Sequence, residues 1–381
     1  MRATEISRPE TLSLLCDLIR IPSVNPQLAP EERTNESAIA DFARQWFESH
    51  GIRARLDEVA PNRPNVVAEV GSGRGPTLVF CGHLDTVSTS GMSIDPFEPK
   101  VESGRVYGRG SYDMKGGVAA AMIAAAALAK EMIAGRLIVA LVADEEYASL
   151  GTQHFVKHYK ADACILTEPS EGELILAHKG FVWAEVTCKG RAAHGSRFDL
   201  GISAIEKMAK IIVKLAQFDT GQLRQRRHPL VGPASQHCAV IHGGTGLSTY
   251  SETCTLHLER RTLPTESLEG VVKEIREVIA SSGEEAEVRV LLERPPLACD
   301  REARVAECLR EAARTVTGQL PKESGVAYWM DAALFAGAGV PTANYGAAGA
   351  GAHEAVEWVD LESVDRCAHV LHDAARLFFK D

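Results

Sequence analysis

Three carboxylates stand in a row, Asp144, Glu145 and Glu146, where the apolar run Leu137–Ala143 ends. Acids packed this closely repel one another, and burial raises their pKa values unless a positive charge sits among them. A metal ion answers that need most simply, provided other segments bring ligands to the same place. The run Thr77–Cys81 leads to His83 and Asp85, the run Ala163–Leu166 leads to Glu168, the loop before an alanine-rich stretch carries Asp113, and a glycine-rich stretch carries His353. Imidazole and carboxylate donors of this kind suit zinc, in a number large enough for two ions, with cobalt and manganese left open by affinity order and availability. His83 and Asp85, at i and i+2, share a side of an extended chain. Asp85 is therefore expected to accept a hydrogen bond from the imidazole and hold its tautomer rather than to ligate. Of the two adjacent glutamates, one can ligate while its neighbour faces the attacking water as general base.

Each of these residues alone admits a plainer reading. The acid pair or Asp113 can cap a helix, His83 can be a core histidine, Glu168 a solvated loop acid, and His353 part of a turn. Their convergence carries the metal reading, and it requires a sheet whose strand ends meet at one edge. The sequence supplies one. A helix is expected from Ile39 to His50, strands at "NVVAEVG" and "PTLVFCGHLD", and a helix through "KGGVAAAMIAAAALAKEM". The strand "RLIVALVADEE", the helix "GTQHFVKHY" and the strand "ADACILTEPS" follow. Strands alternating with helices imply an α/β sheet covered on both faces. The glycine-rich "GSGRGP" between two strands reads as a hairpin rather than a phosphate loop. His154 and His158, with no glutamate after the first histidine and with lysines nearby, read as a solvated helix face, and no GxSxG elbow is present.

Near residue 178 the rhythm changes to period two in "AHKGFVWAEVTCKGRAAH", "ETCTLHLERRT" and "AEVRVLLERP", with helices at "ISAIEKMAKIIVKLAQF" and "SLEGVVKEIREVIASS". This is the pattern of an inserted α+β module of antiparallel strands and two helices. The expected organisation is a catalytic domain in two parts, 1–177 and 293–381, interrupted by a module at 178–292. A chain of 381 residues exceeds the size at which one core usually stops growing, in keeping with two domains. The net charge of −10 argues against a nucleic-acid or anionic-membrane partner, both of which need a basic face. Nine cysteines form no CxxC pair and leave an odd one over, so they are expected to be reduced thiols of a cytoplasmic protein. The N-terminus has no continuous apolar h-region and no run approaches a membrane span, so neither a signal peptide nor a transmembrane helix is expected.

The segments "GHLDTV", "GRGSYDMKGG", "DEEYASLG", "TEPS", "KGRAAHGS", "ERRTLPTES" and "GAGAHEAVEWV", in this order, resemble the dinuclear zinc amidohydrolase and peptidase family. That family holds acetylornithine deacetylase, succinyl-diaminopimelate desuccinylase, aminoacylases and glutamate carboxypeptidases. The resemblance spans nearly the whole chain. It implies a zinc-peptidase-like α/β catalytic domain with a mixed sheet between helices, and a ferredoxin-like α+β lid through which a homodimer forms. It implies that Asp113 bridges two zinc ions, His83 and Glu168 completing one site and Glu146 and His353 the other, with Glu145 as general base. His194 matches a lid histidine that stabilises the oxyanion, in dimeric relatives across the subunit boundary. Arg261 matches a lid arginine that holds a substrate carboxylate, with adjacent Arg260 as the alternative. Three positions depart from the pattern: Ser88 replaces a proline, Ala347 follows Gly346 where Gly-Pro is usual, and Ser248 stands where many members carry an asparagine near the substrate. The expected activity is hydrolysis of the amide of a small N-acyl amino acid, as in acetylornithine deacetylase, or alternatively of a short peptide. A catalytically silent metal-binding relative is the non-enzymatic alternative, and it leaves Glu145 without a purpose.

Overall fold

The computed structural model describes residues 6–71 and 74–380. The chain divides into two compact units, one of Met1–Leu176, Cys299–Ser324 and Met330–Asp381, the other of Ala177–Ala298 and Gly325–Trp329.

The first unit is built on a mixed sheet. Six of its strands run side by side in the order Arg53–Ala60, Arg63–Gly71, Arg136–Val142, Thr77–His83, Ala163–Leu166 and Thr342–Asn344. Thr77–His83 lies parallel to both of its neighbours, and Thr342–Asn344 lies parallel to Ala163–Leu166. Central parallel strands are covered on both faces, so their sequences read as unbroken apolar runs rather than alternations. Accordingly, Leu78, Val79 and Phe80 and the whole stretch Leu137–Ala143 are buried. The helix Gly116–Leu128 is buried on every side, against the sheet and the helix Leu361–Phe378. Its alanines allow that close approach, and a helix apolar all round belongs in a core.

Two readings of the sequence need correction. Strands Arg63–Gly71 and Thr77–His83 do not pair with each other, because Arg136–Val142 lies between them and pairs with both. "GSGRGP" is therefore a crossing connection and not a hairpin, its Ser72 and Gly73 lying outside the described residues. The hairpin is formed instead by Arg53–Ala60 with Arg63–Gly71, turning through Asn62 at a φ of 60°. A second small sheet, Lys100–Glu102, Arg105–Tyr107, Trp358–Asp360 and Gly349–Ala350, also went unread. It frames the loops that carry Asp113 and His353.

The second unit has four antiparallel strands in the order Ser235–Gly243, Thr253–Thr262, Gly180–Lys189 and Glu287–Arg294. With the helices Ala204–Gly221 and Leu268–Ala280, the chain order is βαββαβ, the ferredoxin-like arrangement. Alternate residues Val182, Ala184 and Val186 and their neighbours Leu256 and Leu258 face Ile211, Leu215, Ile275 and Ile279 of the helices. Each helix is capped by a serine: Ser203 Oγ accepts from Glu206 N–H and Ser267 Oγ from Gly270 N–H, both at 3.2 Å. Among the described residues, no helix is long and apolar enough to cross a membrane.

Candidate metal centre

His83 is the last residue of its strand, and Glu145, Glu146 and Glu168 follow the ends of two strands parallel to it. Asp113 precedes the buried helix, and His353 lies on the loop between strands Gly349–Ala350 and Trp358–Asp360. These segments meet. His83, Asp113 and Glu168 form one group, and Asp113, Glu146 and His353 a second, each with its ligand atoms within 4.8 Å of one another. Asp113 belongs to both because its two oxygens face different rings: Oδ1 lies 3.2 Å from His83 Nε2 and Oδ2 lies 3.3 Å from His353 Nε2. Glu168 Oε1 lies 3.6 Å from His83 Nε2, and Glu146 Oε2 lies 3.1 Å from His353 Nε2.

The electrostatics match a place made for positive charge. Burial, the neighbouring Glu168 and the buried Asp331 push the Glu145 carboxyl well above its usual range. Burial likewise raises Glu168 strongly, and burial together with Asp113 raises Glu146. Burial pulls His83 down, but Glu168, Asp113 and Glu145 outweigh it and hold the ring well above the usual histidine value. Hydrogen bonds to Asp113 and Glu146 raise His353 to about 10. Asp113 goes the other way: burial pushes it up, yet the bonds from His353 and His83 hold it below the normal carboxylate range. The nitrogens that retain protons among these acids are the nitrogens a divalent ion would take. Two imidazole-carboxylate triples sharing one bridging carboxylate fit two such ions in donor type and spacing.

Backbone packing sets the spacing. A Cβ at Gly117 would stand 1.9 Å from the carbonyl oxygen of Thr167, and one at Gly346 would stand 2.1 Å from that of Glu168. Only glycine lets both segments press on the backbone that presents Glu168.

A family model for peptidase family M20/M25/M40 matches residues 79–377. The chain belongs to this family. It is 32% identical over 277 residues to an acetylornithine deacetylase of Vibrio atlanticus (strain LGP32), with 71% of this chain and 73% of the relative covered. With the acetylornithine deacetylase of Proteus mirabilis (strain HI4320) the identity is 30% over 283 residues, covering 72% and 73%. Among solved structures, the aminopeptidase PepT of Bacillus cereus superposes with a TM-score of 0.81 at 20% identity, over 98% and 99% of the chains. The YXEP protein of Bacillus subtilis, a dinuclear metal-binding peptidase of the M20 family, gives 0.77 at 16% identity, over 98% of each chain. At such identities the structural likeness speaks for the fold. Family membership makes this protein a metal-dependent hydrolase.

Within this M20 protein, Asp85 departs from its expected role. Its side chain does not hold the His83 ring: the ring Nδ1 hydrogen-bonds the backbone carbonyl of Asp85 at 2.8 Å, while the carboxylate oxygen is 3.7 Å away. The carboxylate is turned instead toward the N–H groups of Glu145 and Glu146. Glu357 was missed by the sequence reading. This buried acid accepts from Arg109 Nη1 at 2.8 Å and from the N–H groups of Gly110, Tyr112 and Asp113 at 3.0, 2.9 and 3.0 Å, fixing the loop that carries the shared carboxylate. Its signal in the sequence is an acid placed inside the apolar "AVEWV", four residues beyond His353.

In the second unit, His194 is exposed and Ser196 N–H donates to its Nδ1 at 3.2 Å, which leaves the proton of the neutral ring on Nε2. Gly195 N–H donates to the Ser248 carbonyl at 2.7 Å, so the backbone of Ser248 braces the histidine loop. Strand alternation separates the two arginines. Arg260 points inward, fully buried and paired with Glu266 and Glu274, whereas Arg261 is partly exposed, paired with Glu259 and stacked 5.2 Å over Phe181. Ser88 Oγ donates to Glu32 at 2.6 Å, a local contact that proline would lack.

Proposed function

We propose that the protein removes the acyl group from a small N-acyl amino acid by hydrolysing its amide bond, in the manner of its acetylornithine deacetylase relatives. The observation that carries this reading is Asp113 facing two imidazoles with its two oxygens, next to an acid, Glu145, that belongs to neither donor group. His83, Asp113 and Glu168 would hold one ion and Asp113, Glu146 and His353 the other, with zinc the fitting metal and cobalt or manganese acceptable to the same donors. When bound, the ions supply polarisation of the carbonyl and a water acidic enough to attack at neutral pH. Glu145, its carboxyl raised by burial, takes the proton of the attacking water and passes it to the leaving amine. His194 donates through Nε2 to the oxyanion, Arg261 pairs with the substrate carboxylate, and Ser248 lies near the substrate.

The second unit acts as lid and dimerisation module in this reading. Its edge strand Ser235–Gly243 exposes Val240 and Ile241, and an exposed apolar edge is a surface on which a second copy can pair. The absence of a disulfide among the described cysteines suits a reducing compartment, the cytoplasm.

The test is metal content of the purified protein followed by hydrolysis of N-acetylornithine, N-succinyl-diaminopimelate, N-acetyl amino acids and dipeptides, with and without chelator. Chelator-sensitive deacylation is expected, and turnover confined to dipeptides would move the assignment to the peptidase side. Glu145→Gln should lower kcat by about 1,000-fold or more with both ions retained. Near-normal turnover of that variant would remove Glu145 from the mechanism.

A further inference from the structure

Behind Glu145 and Glu146 runs a buried chain of polar contacts that contributes no atom to either donor group. Asp85 gives one oxygen to each of two consecutive amides: Glu145 N–H donates to Oδ1 at 3.1 Å and Glu146 N–H to Oδ2 at 3.2 Å. The side-chain amide of Asn25 donates to Asp85 Oδ2 at 2.7 Å and to Asp144 Oδ1 at 3.0 Å. Arg63 completes the chain, with Nη1 2.7 Å from Asp144 Oδ1 and Nε donating to Glu36 Oε2 at 2.9 Å. Asn25, Glu36, Arg63, Asp85 and Asp144 are all buried. The amide of Asn25 can point only one way, because its Oδ1 accepts from Gln27 N–H at 3.0 Å and its two N–H groups meet two acids.

The geometry of the turn explains why such a chain is needed. Asp144 has a φ of 72°, a left-handed conformation uncommon in residues with a Cβ, and such residues persist where their surroundings over-determine them. Here one carboxylate oxygen of Asp144, Oδ1, is held by both Arg63 and Asn25. The two residues after it are held by their N–H groups on a single carboxylate. The register of this turn decides which of the two adjacent side chains meets His353 and Asp113. A slip of one residue would exchange ligand and base.

We propose that Asn25 and Arg63 are positioning residues that fix the Asp144–Glu146 turn, and with it the division of labour between Glu145 and Glu146. The inference rests on the dinuclear hydrolase reading. It is tested by titrating chelator-treated protein with Zn2+ in a calorimeter, comparing wild type, Asn25→Asp, Glu146→Gln and Glu168→Gln, with the last two assigning the binding steps. Asn25→Asp replaces both donated N–H groups with a third carboxylate at no change in size. It should weaken the step impaired in Glu146→Gln by about 10–100-fold and leave the step impaired in Glu168→Gln within about threefold. Equal weakening of both steps, or of neither, overturns the inference. A wild type that takes up fewer than two ions overturns the hydrolase reading itself, and the inference with it. Should thermal unfolding show Asn25→Asp to be unfolded, Arg63→Lys, which keeps the charge but not the paired contacts, must show the same selective loss.

Discussion

The two donor groups share Asp113 and differ in how they meet water. The side chains of His83 and Glu168 are 1% and 7% exposed, whereas that of His353 is 53% exposed. The first group hangs from the ends of parallel strands in the middle of the sheet, where hydrogen bonds on both sides fix the backbone. The second takes its histidine from a loop, at a φ of 63°, framed by the small sheet. The difference teaches that one group is part of the core and the other is laid over it. The buried group should govern whether the unit holds together, and the open one how readily an ion comes and goes.

Three experiments sharpen or break this contrast. The largest effect is expected from ligand removal in chelator-treated protein. His83→Ala leaves Glu168 and Asp113 without the ring that balances them and should cost about 3 kcal/mol in urea unfolding, whereas His353→Ala, at the exposed position, should change stability by only about 0.5 kcal/mol. Equal costs would show that the two groups are not differently embedded. Next in size, Glu357→Gln should weaken both ions by about 10–100-fold, because the residue it holds serves both groups. Weakening of one binding step alone would mean that Asp113 is not shared.

The smallest effect is a pH dependence of opposite sign with and without metal. His353, His83, Glu145 and Glu168 all have raised pKa values in the fold, so these four groups hold protons more tightly than in the unfolded chain and outnumber Lys115, which burial lowers to about 7 and which works against them. The contribution of His353 is fully present below the unfolded value near 6.5 and is lost as pH rises through about 10. Chelator-treated protein should therefore melt lower at pH 9 than at pH 6. Added Zn2+ competes with those protons, so the rise in melting temperature that it brings should grow over the same interval. A metal-induced rise independent of pH would show that the raised histidines are not ligands.

The strand ends that carry His83, Glu145, Glu146 and Glu168 were legible because each follows an apolar run whose length and composition mark a buried parallel strand. Asp113 and His353 were legible from their places beside a helix start and in a glycine-rich loop. Arg53–Ala60 was not: it is a partly exposed edge strand of mixed charged and apolar residues, and its pairing depends on the neighbouring Arg63–Gly71. Ser235–Gly243, mostly exposed, escaped notice for the same reason. Glu357 and Asn25 act by hydrogen bonds to the backbone or side chains of segments far away in sequence, and no local periodicity records such a partner. Asp85 was assigned to the wrong contact because i, i+2 spacing holds only while the chain stays extended, and the strand ends at His83.

The glycines that flank Glu168 have one further consequence. With Gly117 pressing on the carbonyl of Thr167 and Gly346 on that of Glu168, the backbone at this point has no clearance in either direction. A close-packed interior yields little to pressure. A side chain at Gly117 or Gly346 would therefore have to displace the strand end that carries Glu168, so alanine at either position should move this carboxylate rather than fill free space.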